Sequence, residues 1–122
     1  MSTLVQPLQG GTGVANANTM TIPGQANRTI NLTFLEVSLT GPGFGSNAQL
    51  RIWDGAVGNG VPLFSDFIIS PVGSVGTVQK INLPEDAQGN VGIQGTPGSA
   101  MTVQIVNLGT TSSIINARAS MI

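Results

Sequence analysis

Residues 28–40 read RTINLTFLEVSLT, and the spacing of the apolar side chains in this stretch decides the fold class. From Ile30 to Phe34 the apolar residues occupy every second position, which is the period of a strand with one face on a core. From Leu35 to Leu39 they alternate again, but shifted by one position. Because a one-residue slip turns every side chain to the other face, we predict a long strand with a β-bulge, or a strand that passes between two sheets.

Strand-like segments recur along the rest of the chain, and Gly or Pro stands at nearly every joint between them. None of them shows the 3.6-residue period of a helix. The pattern predicts an all-β chain of about seven or eight strands, folded as an antiparallel β-sandwich (a jelly roll is one form it could take) or a small barrel. The further segments are Ala48–Asp54, Val61–Ile69, Gly76–Leu83, Asn90–Gln94, Ala100–Leu108 and Ser112–Met121.

The first 27 residues differ from the rest, because residues 10–27 are uncharged, rich in Gly and Asn, and only weakly alternating. We therefore divide the chain into an extended N-terminal arm, residues 1–27, and a β-sandwich domain, residues 28–122. The arm is predicted to contain one or two short strands and to become ordered against a neighbouring subunit; the alternative is a flexible terminus. Deletion of the arm should then weaken assembly and leave the sandwich folded.

Candidate partner contacts come from apolar side chains outside the clearest core pattern. Trp53 lies on the face opposite Leu50 and Ile52, so it could enter an intersubunit pocket, stack on a sugar or support a second apolar layer of its own domain. Phe64 and Phe67 fall on opposite faces of one strand, so at least one should lie outside the core. Leu4 and Val5, near the start of the chain, could add to a partner's sheet edge. The six candidates are Leu4, Val5, Met20, Ile22, Trp53 and Phe64.

Charge is scarce: four Lys and Arg and five Asp and Glu make nine ions in 122 residues. A soluble domain of this length usually carries about thirty. Since a folded chain of this mass exposes roughly 6,000 Å², its surface would carry one charged residue per about 650–700 Å². Either neutral polar side chains cover this surface, or much of it is buried against other protein copies. We interpret the chain as part of an assembly.

The residue types present argue against catalysis and against cofactors. There is no His and no Cys, and Lys80 is the single Lys, so the common nucleophiles and bases are missing. Zinc lacks its preferred ligands. The loop after Asp54 and the turn around Glu85 and Asp86 offer oxygen atoms, but without the spacing of a calcium loop. We therefore predict a non-enzyme without catalytic, metal or cofactor sites.

Nucleic acid and membrane are excluded as predicted partners on similar grounds. The four cations, Arg28, Arg51, Lys80 and Arg118, are scattered along the sequence, whereas phosphate binding needs them clustered. No apolar stretch approaches the ~20 residues of a membrane span. The first ten residues lack the basic and apolar regions of a signal peptide. We therefore expect synthesis in the host cytoplasm.

Residues 50–64, LRIWDGAVGNGVPLF, resemble small β-sandwich decoration or cement proteins of tailed bacteriophages. The shared features are a strand ending in Trp-Asp-Gly, a Gly-rich loop and an apolar return strand. Residues 92–111, GIQGTPGSAMTVQIVNLGTT, are also similar to segments of such virion components. The resemblance implies a capsid decoration protein at the virion surface, with the major capsid protein as partner. It also implies that the protein bridges neighbouring capsomers. The protein would do so as a homo-oligomer, for which a trimer is plausible.

Two other functions remain open on the sequence. The chain could be a bacteriophage tail, baseplate or fibre component, which should form trimers without any capsid. It could also be a carbohydrate- or host-surface-binding β-sandwich module, in which a sugar should quench the fluorescence of Trp53. A decoration protein should instead bind purified capsids and raise the temperature at which they are disrupted.

Overall fold

The computed structural model describes residues 4–10, 17–41, 48–69, 76–85 and 87–122, with only the backbone for residues 4–10. These ranges contain nine strands and no helix, which confirms the all-β prediction. The shortest strand, β7, has two residues. In chain order the strands are β1 (Leu4–Gly10), β2 (Ala17–Ile22), β3 (Ile30–Thr40), β4 (Gln49–Asp54), β5 (Phe64–Phe67), β6 (Thr77–Lys80), β7 (Ile93–Gln94), β8 (Met101–Val106) and β9 (Ser112–Met121).

The strands form two antiparallel sheets, as an antiparallel sandwich requires. The five-stranded sheet has the order β1-β9-β3-β6, with β7 also paired to β3. The four-stranded sheet has the order β2-β8-β4-β5. Every strand pairing is antiparallel. The long strands β3 and β9 are neighbours at the centre of the larger sheet, and β8 and β4 are central in the smaller one.

The predicted β-bulge is present in β3. Leu32 is paired with Ala119 of β9, and the next pair along the strand joins Phe34 to Arg118, so Thr33 is the extra residue. The hydroxyl of Thr33 donates a hydrogen bond to the carbonyl oxygen of Arg118, at 3.2 Å. The bulge explains why the buried positions of β3 change phase in mid-strand.

The core lies between the two sheets and draws on nearly all strands. Among its fully buried residues are Ile105 of β8 and Ile22 of β2. Phe64 is partly buried and packs against the edge of this cluster. The core comprises Met20, Ile22, Ile30, Leu32, Leu35, Val37, Leu39, Ala48, Leu50, Ile52, Ile68, Ile81, Leu83, Ile93, Met101, Val103, Ile105, Leu108, Ile115, Ala117, Ala119 and Met121.

The division at residue 27 needs correction, because β1 and β2, the two described strands within residues 1–27, are edge strands of the chain's own sheets. Strand β1 pairs with β9 over seven register positions, from Leu4 opposite Met121 to Gly10 opposite Ile115. Strand β2 pairs with β8 over all six of its residues. Within the described ranges these segments therefore belong to the sandwich rather than to an arm that leaves it.

Asn18 explains why the sequence pattern of β2 is weak. The strand alternates regularly between exposed and buried side chains, but one of its buried positions holds this polar residue. The amide nitrogen of Asn18 donates to both the carbonyl oxygen and the hydroxyl of Ser113 in β9, at 3.0 Å each. Because these bonds satisfy the buried amide, Asn18 links the two sheets where an apolar residue is usual.

Candidate interaction surface

The outer face of the four-stranded sheet is nearly free of ions. The strand registers place one charged side chain on it, that of Arg51, among Thr, Gln, Ser and apolar residues. We call this surface the ion-poor face. Its members are Ala17, Thr19 and Thr21 from β2, Thr102, Gln104 and Val106 from β8, Gln49, Arg51 and Trp53 from β4, and Ser65 and Phe67 from β5.

The long polar side chains of the ion-poor face are already held by partners within the chain. The guanidinium of Arg51 donates twice to the amide oxygen of Gln49, at 2.9 and 2.7 Å. The indole nitrogen of Trp53 donates to the amide oxygen of Gln104, at 3.0 Å. Side chains that are ordered beforehand lose little conformational entropy when a partner covers them. The ion-poor face is therefore suited to being buried.

Trp53 is not an exposed aromatic platform. Only 7% of its surface is exposed, although it lies outside the core cluster between the sheets. Its register partner in β8 is Thr102, and its indole nitrogen is engaged by Gln104. Of the three roles considered for this residue, the burial favours a second apolar layer within its own domain.

The fluorescence of Trp53 provides a direct measurement of this burial. We expect its emission to be blue-shifted and only weakly quenched by acrylamide, and to remain unchanged when soluble saccharides are added. The signal is unambiguous because the chain contains one Trp. Strong acrylamide quenching, or an emission change that saturates with a sugar, would show that the ring is accessible and would favour a carbohydrate-binding module.

Four large apolar side chains at odd-numbered positions are exposed at the β5 end of the four-stranded sheet, and one of them, Phe67, belongs to the ion-poor face. Val61 is 84% exposed, Leu63 41%, Phe67 63% and Ile69 71%. We call these four residues the apolar row. Phe64, which the sequence singled out, faces the core, so the phenylalanine outside the core is Phe67.

The backbone beside the apolar row is closed to a further strand, although β5 is an edge strand. The side-chain amide of Gln79 accepts a hydrogen bond from the nitrogen of Ile69, at 2.7 Å, and donates one to the oxygen of Phe67, at 3.1 Å. The nitrogen of Phe67 donates to the carboxylate of Asp66, at 2.8 Å. These groups are among those that an added strand would use, so side chains protect this part of the edge.

The outer face of the five-stranded sheet differs, because charges gather there. The guanidinium carbon of Arg118 lies 5.2 Å, and the amine of Lys80 5.9 Å, from the ring centre of Phe34. Glu36 is the register partner of Lys80. Beside Phe34 and Lys80 runs a shallow groove of about 380 Å³ that Glu85 also lines. The two outer faces of the sandwich therefore have different chemistry.

The structure does not bring the six candidate contact residues together. Leu4 and Val5 lie in β1, paired with Met121 and Ser120 of β9. The side chains of Met20 and Ile22 fill the chain's own core, so contact through them would require β2 to leave its sheet. Trp53 and Phe64 lie on opposite faces of the four-stranded sheet. Whether any of the six meets a partner stays a prediction.

Val61 and Ile69 are exposed residues that sequence reasoning missed. The sequence pattern places both at the ends of a predicted strand, Val61–Ile69, without indicating which face they lie on. The signal that could have identified them is the odd-numbered alternation from position 61 to position 69, which continues past both ends of β5. A row of apolar side chains on the same side as Phe67 would then have been expected.

The described ranges contain no cluster of side chains suited to a metal ion. No group of three or more His, Cys, Asp or Glu side chains there could hold a metal ion. The carboxylate of Asp54 accepts hydrogen bonds from the backbone nitrogen and the hydroxyl of Thr96. The amide of Asn59 donates to the backbone oxygen of Asp54, at 2.6 Å, which shapes the Gly-rich loop. Among these residues no helix is long and apolar enough to cross a bilayer.

Comparison with known proteins finds no matching family model and no similar curated protein sequence. Solved structures that this chain matches include PliG of Aeromonas hydrophila, a periplasmic inhibitor of g-type lysozyme, with a TM-score of 0.41 and 14% identity over 95% of this chain and 85% of that one. A structure of Desmodium yellow mottle tymovirus gives a TM-score of 0.41 and 9% identity over 98% and 86%.

A third similar structure is the virus-like particle of the extra small virus of the giant freshwater prawn Macrobrachium rosenbergii. It gives a TM-score of 0.40 and 8% identity over 99% of this chain and 80% of that one. Viral proteins thus occur among the structural neighbours, as does a bacterial lysozyme inhibitor.

Proposed function

We propose that this chain is a non-enzymatic structural protein of a virion, specifically a capsid decoration protein that binds the outer capsid surface. The observation that carries the proposal is the ion-poor face, which has one charged side chain and whose long polar side chains are held in place. The whole chain presents 6460 Å² of surface with nine charged residues, about one per 700 Å². Such a surface suits lasting contact with other proteins.

The cost of desolvation explains why a surface with few ions is suited to lasting contact with other proteins. Removing an ion from water costs several kcal/mol unless a well-placed counter-ion compensates it, whereas neutral hydroxyl and amide groups cost less. The single cation of the ion-poor face, Arg51, is hydrogen-bonded to Gln49, which is neutral, so its charge must stay hydrated or meet a counter-ion of the partner. A broad partner surface could cover Thr19 and Thr21 of β2 without burying an unpaired charge. A structural partner needs this property, while a small-molecule ligand would need a deep pocket.

The resemblance to bacteriophage decoration proteins supplies the finer part of the proposal. The partner would be the major capsid protein, and the decoration protein would bridge neighbouring capsomers. A standard protein–protein interface buries about 800 Å² on each partner. One face of a 122-residue sandwich is large enough to provide that area. The charged outer face of the five-stranded sheet would then be turned toward solvent.

Capsid binding by paired variants tests the proposal. The full-length chain should bind expanded capsids of its own virus and raise their disruption temperature. Thr19→Glu should lower capsid affinity at least tenfold, because it places a carboxylate in the contact. Ser112→Glu, an equally exposed strand position on the opposite outer face, should leave the affinity unchanged. Each variant needs a native circular dichroism spectrum.

Three outcomes would contradict this function. The wild-type chain could fail to bind capsids at all. Thr19→Glu could bind as tightly as wild type, which would remove the ion-poor face from the contact. Binding to purified tails or baseplates instead of capsids would favour the alternative of a tail, baseplate or fibre component.

A further inference from the structure

The apolar row contains four of the eight large apolar side chains that are exposed in the described ranges. Its four side chains lie at positions 61, 63, 67 and 69, with the exposed Ser65 at the middle. If a fully exposed side chain of this kind presents on the order of 150–200 Å², the row exposes roughly 450 Å². That lies within the roughly 300–600 Å² of the largest apolar patch on typical monomers, and such patches are often functional.

The closed edge of β5 determines what kind of contact the row can make. Gln79 and Asp66 occupy the backbone groups of Phe67 and Ile69 that an incoming strand would need. A partner must therefore pack on the side chains rather than extend the sheet. Side-chain packing between two apolar surfaces gives a contact with defined limits, whereas an open strand edge also promotes aggregation.

We propose that the apolar row is the contact between copies of this chain, packed row against row in a closed homo-oligomer. The row supplies more than half of the ~800 Å² that one partner buries in a standard interface. A second copy brings an equally apolar row. Two charged side chains lie beside the row: Asp66, whose carboxylate accepts a hydrogen bond from the nitrogen of Phe67, and Arg51, which is opposite Ser65 and bonded to Gln49. The contact must therefore leave these two charges at its solvated rim.

The position of the row leaves room for the capsid contact. Strands β2 and β5 are the two edges of the four-stranded sheet, three strand spacings or about 14 Å apart. Copies could meet at the β5 edge while Thr19 and Thr21 remain exposed at the β2 edge. The contact between copies does not depend on the capsid role, since it concerns this chain alone.

The oligomeric mass of the purified full-length chain, measured by light scattering or sedimentation without capsids, tests the proposal. We expect the wild type to be a multimer at micromolar concentration. Phe67→Asp and the milder Ile69→Ser should each shift the equilibrium toward the monomer, by at least tenfold in dissociation constant for Phe67→Asp. Val78→Asp is the matched control, because Val78 is equally exposed but lies on the outer face of the other sheet. It should keep the wild-type mass.

A disulfide test leaves the apolar row intact. The chain has no Cys, so a Ser65→Cys variant can form a disulfide only between copies. We expect mild oxidation to give a covalent dimer for Ser65→Cys and none for Ser112→Cys. A wild type that is monomeric at 100 µM or above, or a Ser65→Cys variant that does not cross-link, would overturn the contact. A wild-type monomer that still binds capsids would contradict the contact between copies but not the capsid role. A multimer that does not bind capsids would contradict the capsid role but not the contact between copies.

Discussion

Deletion of residues 1–27 is expected to abolish cooperative folding. The deletion removes β1 and β2, which pair with β9 and β8 over seven and six register positions. It also removes two core side chains, Met20 and Ile22. Truncating one buried Ile or Met to Ala typically costs 2–5 kcal/mol, against a total stability of about 5–15 kcal/mol for a domain. The truncated chain should lack a cooperative thermal transition and a native near-ultraviolet circular dichroism spectrum.

A pair of point variants distinguishes the loss of β2 packing from an effect of chain length. Ile22→Asp should be severely destabilised, because Ile22 is fully buried. Its neighbour Thr21 is exposed, so Thr21→Asp should unfold at close to the wild-type temperature. If the truncated chain unfolded cooperatively with native spectra, residues 1–27 would be an arm after all. Their sequence-based assignment would then be restored.

The expectation of an arm shows what the sequence pattern could and could not predict. The phase change in β3 was informative because six apolar residues carried it, and the bulge at Thr33 follows from it. Strand β2 had only two apolar residues, since its third inward position is Asn18, whose partner Ser113 is 95 residues away. No local sequence pattern can show that a buried polar residue has its hydrogen-bond partner 95 residues away. Edge strands with one such position therefore look like loops.

The sequence could predict that the surface has few ions, but not on which face of the sandwich those ions lie. Composition alone indicated that ions are scarce, and this holds for the whole chain. The segregation of Glu36, Lys80 and Arg118 on one outer face depends on the pairing of β3 with β6 and β9, which is not local. For the same reason, the closure of the β5 edge by Gln79 was not visible, because the two segments come from different sheets.

Ile105→Asp is expected to unfold the domain. Ile105 is fully buried at the centre of the four-stranded sheet, where its register partners are Asn18 in β2 and Leu50 in β4. The sequence pattern of residues 100–108 predicts a core position here, and the structure confirms it. The substitution removes an Ile side chain from the core and replaces it with a carboxylate that must lose its hydration. The two costs together reach about 5 kcal/mol or more, which is a large part of the stability of a small domain.

The conservative variant Ile105→Val separates the buried charge from the change of side chain. Loss of one buried methylene should cost about 0.5–1.5 kcal/mol, so Ile105→Val should fold and unfold cooperatively at a temperature a few degrees below wild type. Ile105→Asp should show neither a thermal transition nor dispersed amide resonances. A soluble Ile105→Asp variant with a wild-type spectrum would mean that this side of β8 faces water. The assignment of the core between the two sheets would then be reversed, and with it the choice of the ion-poor face as the surface that meets a partner.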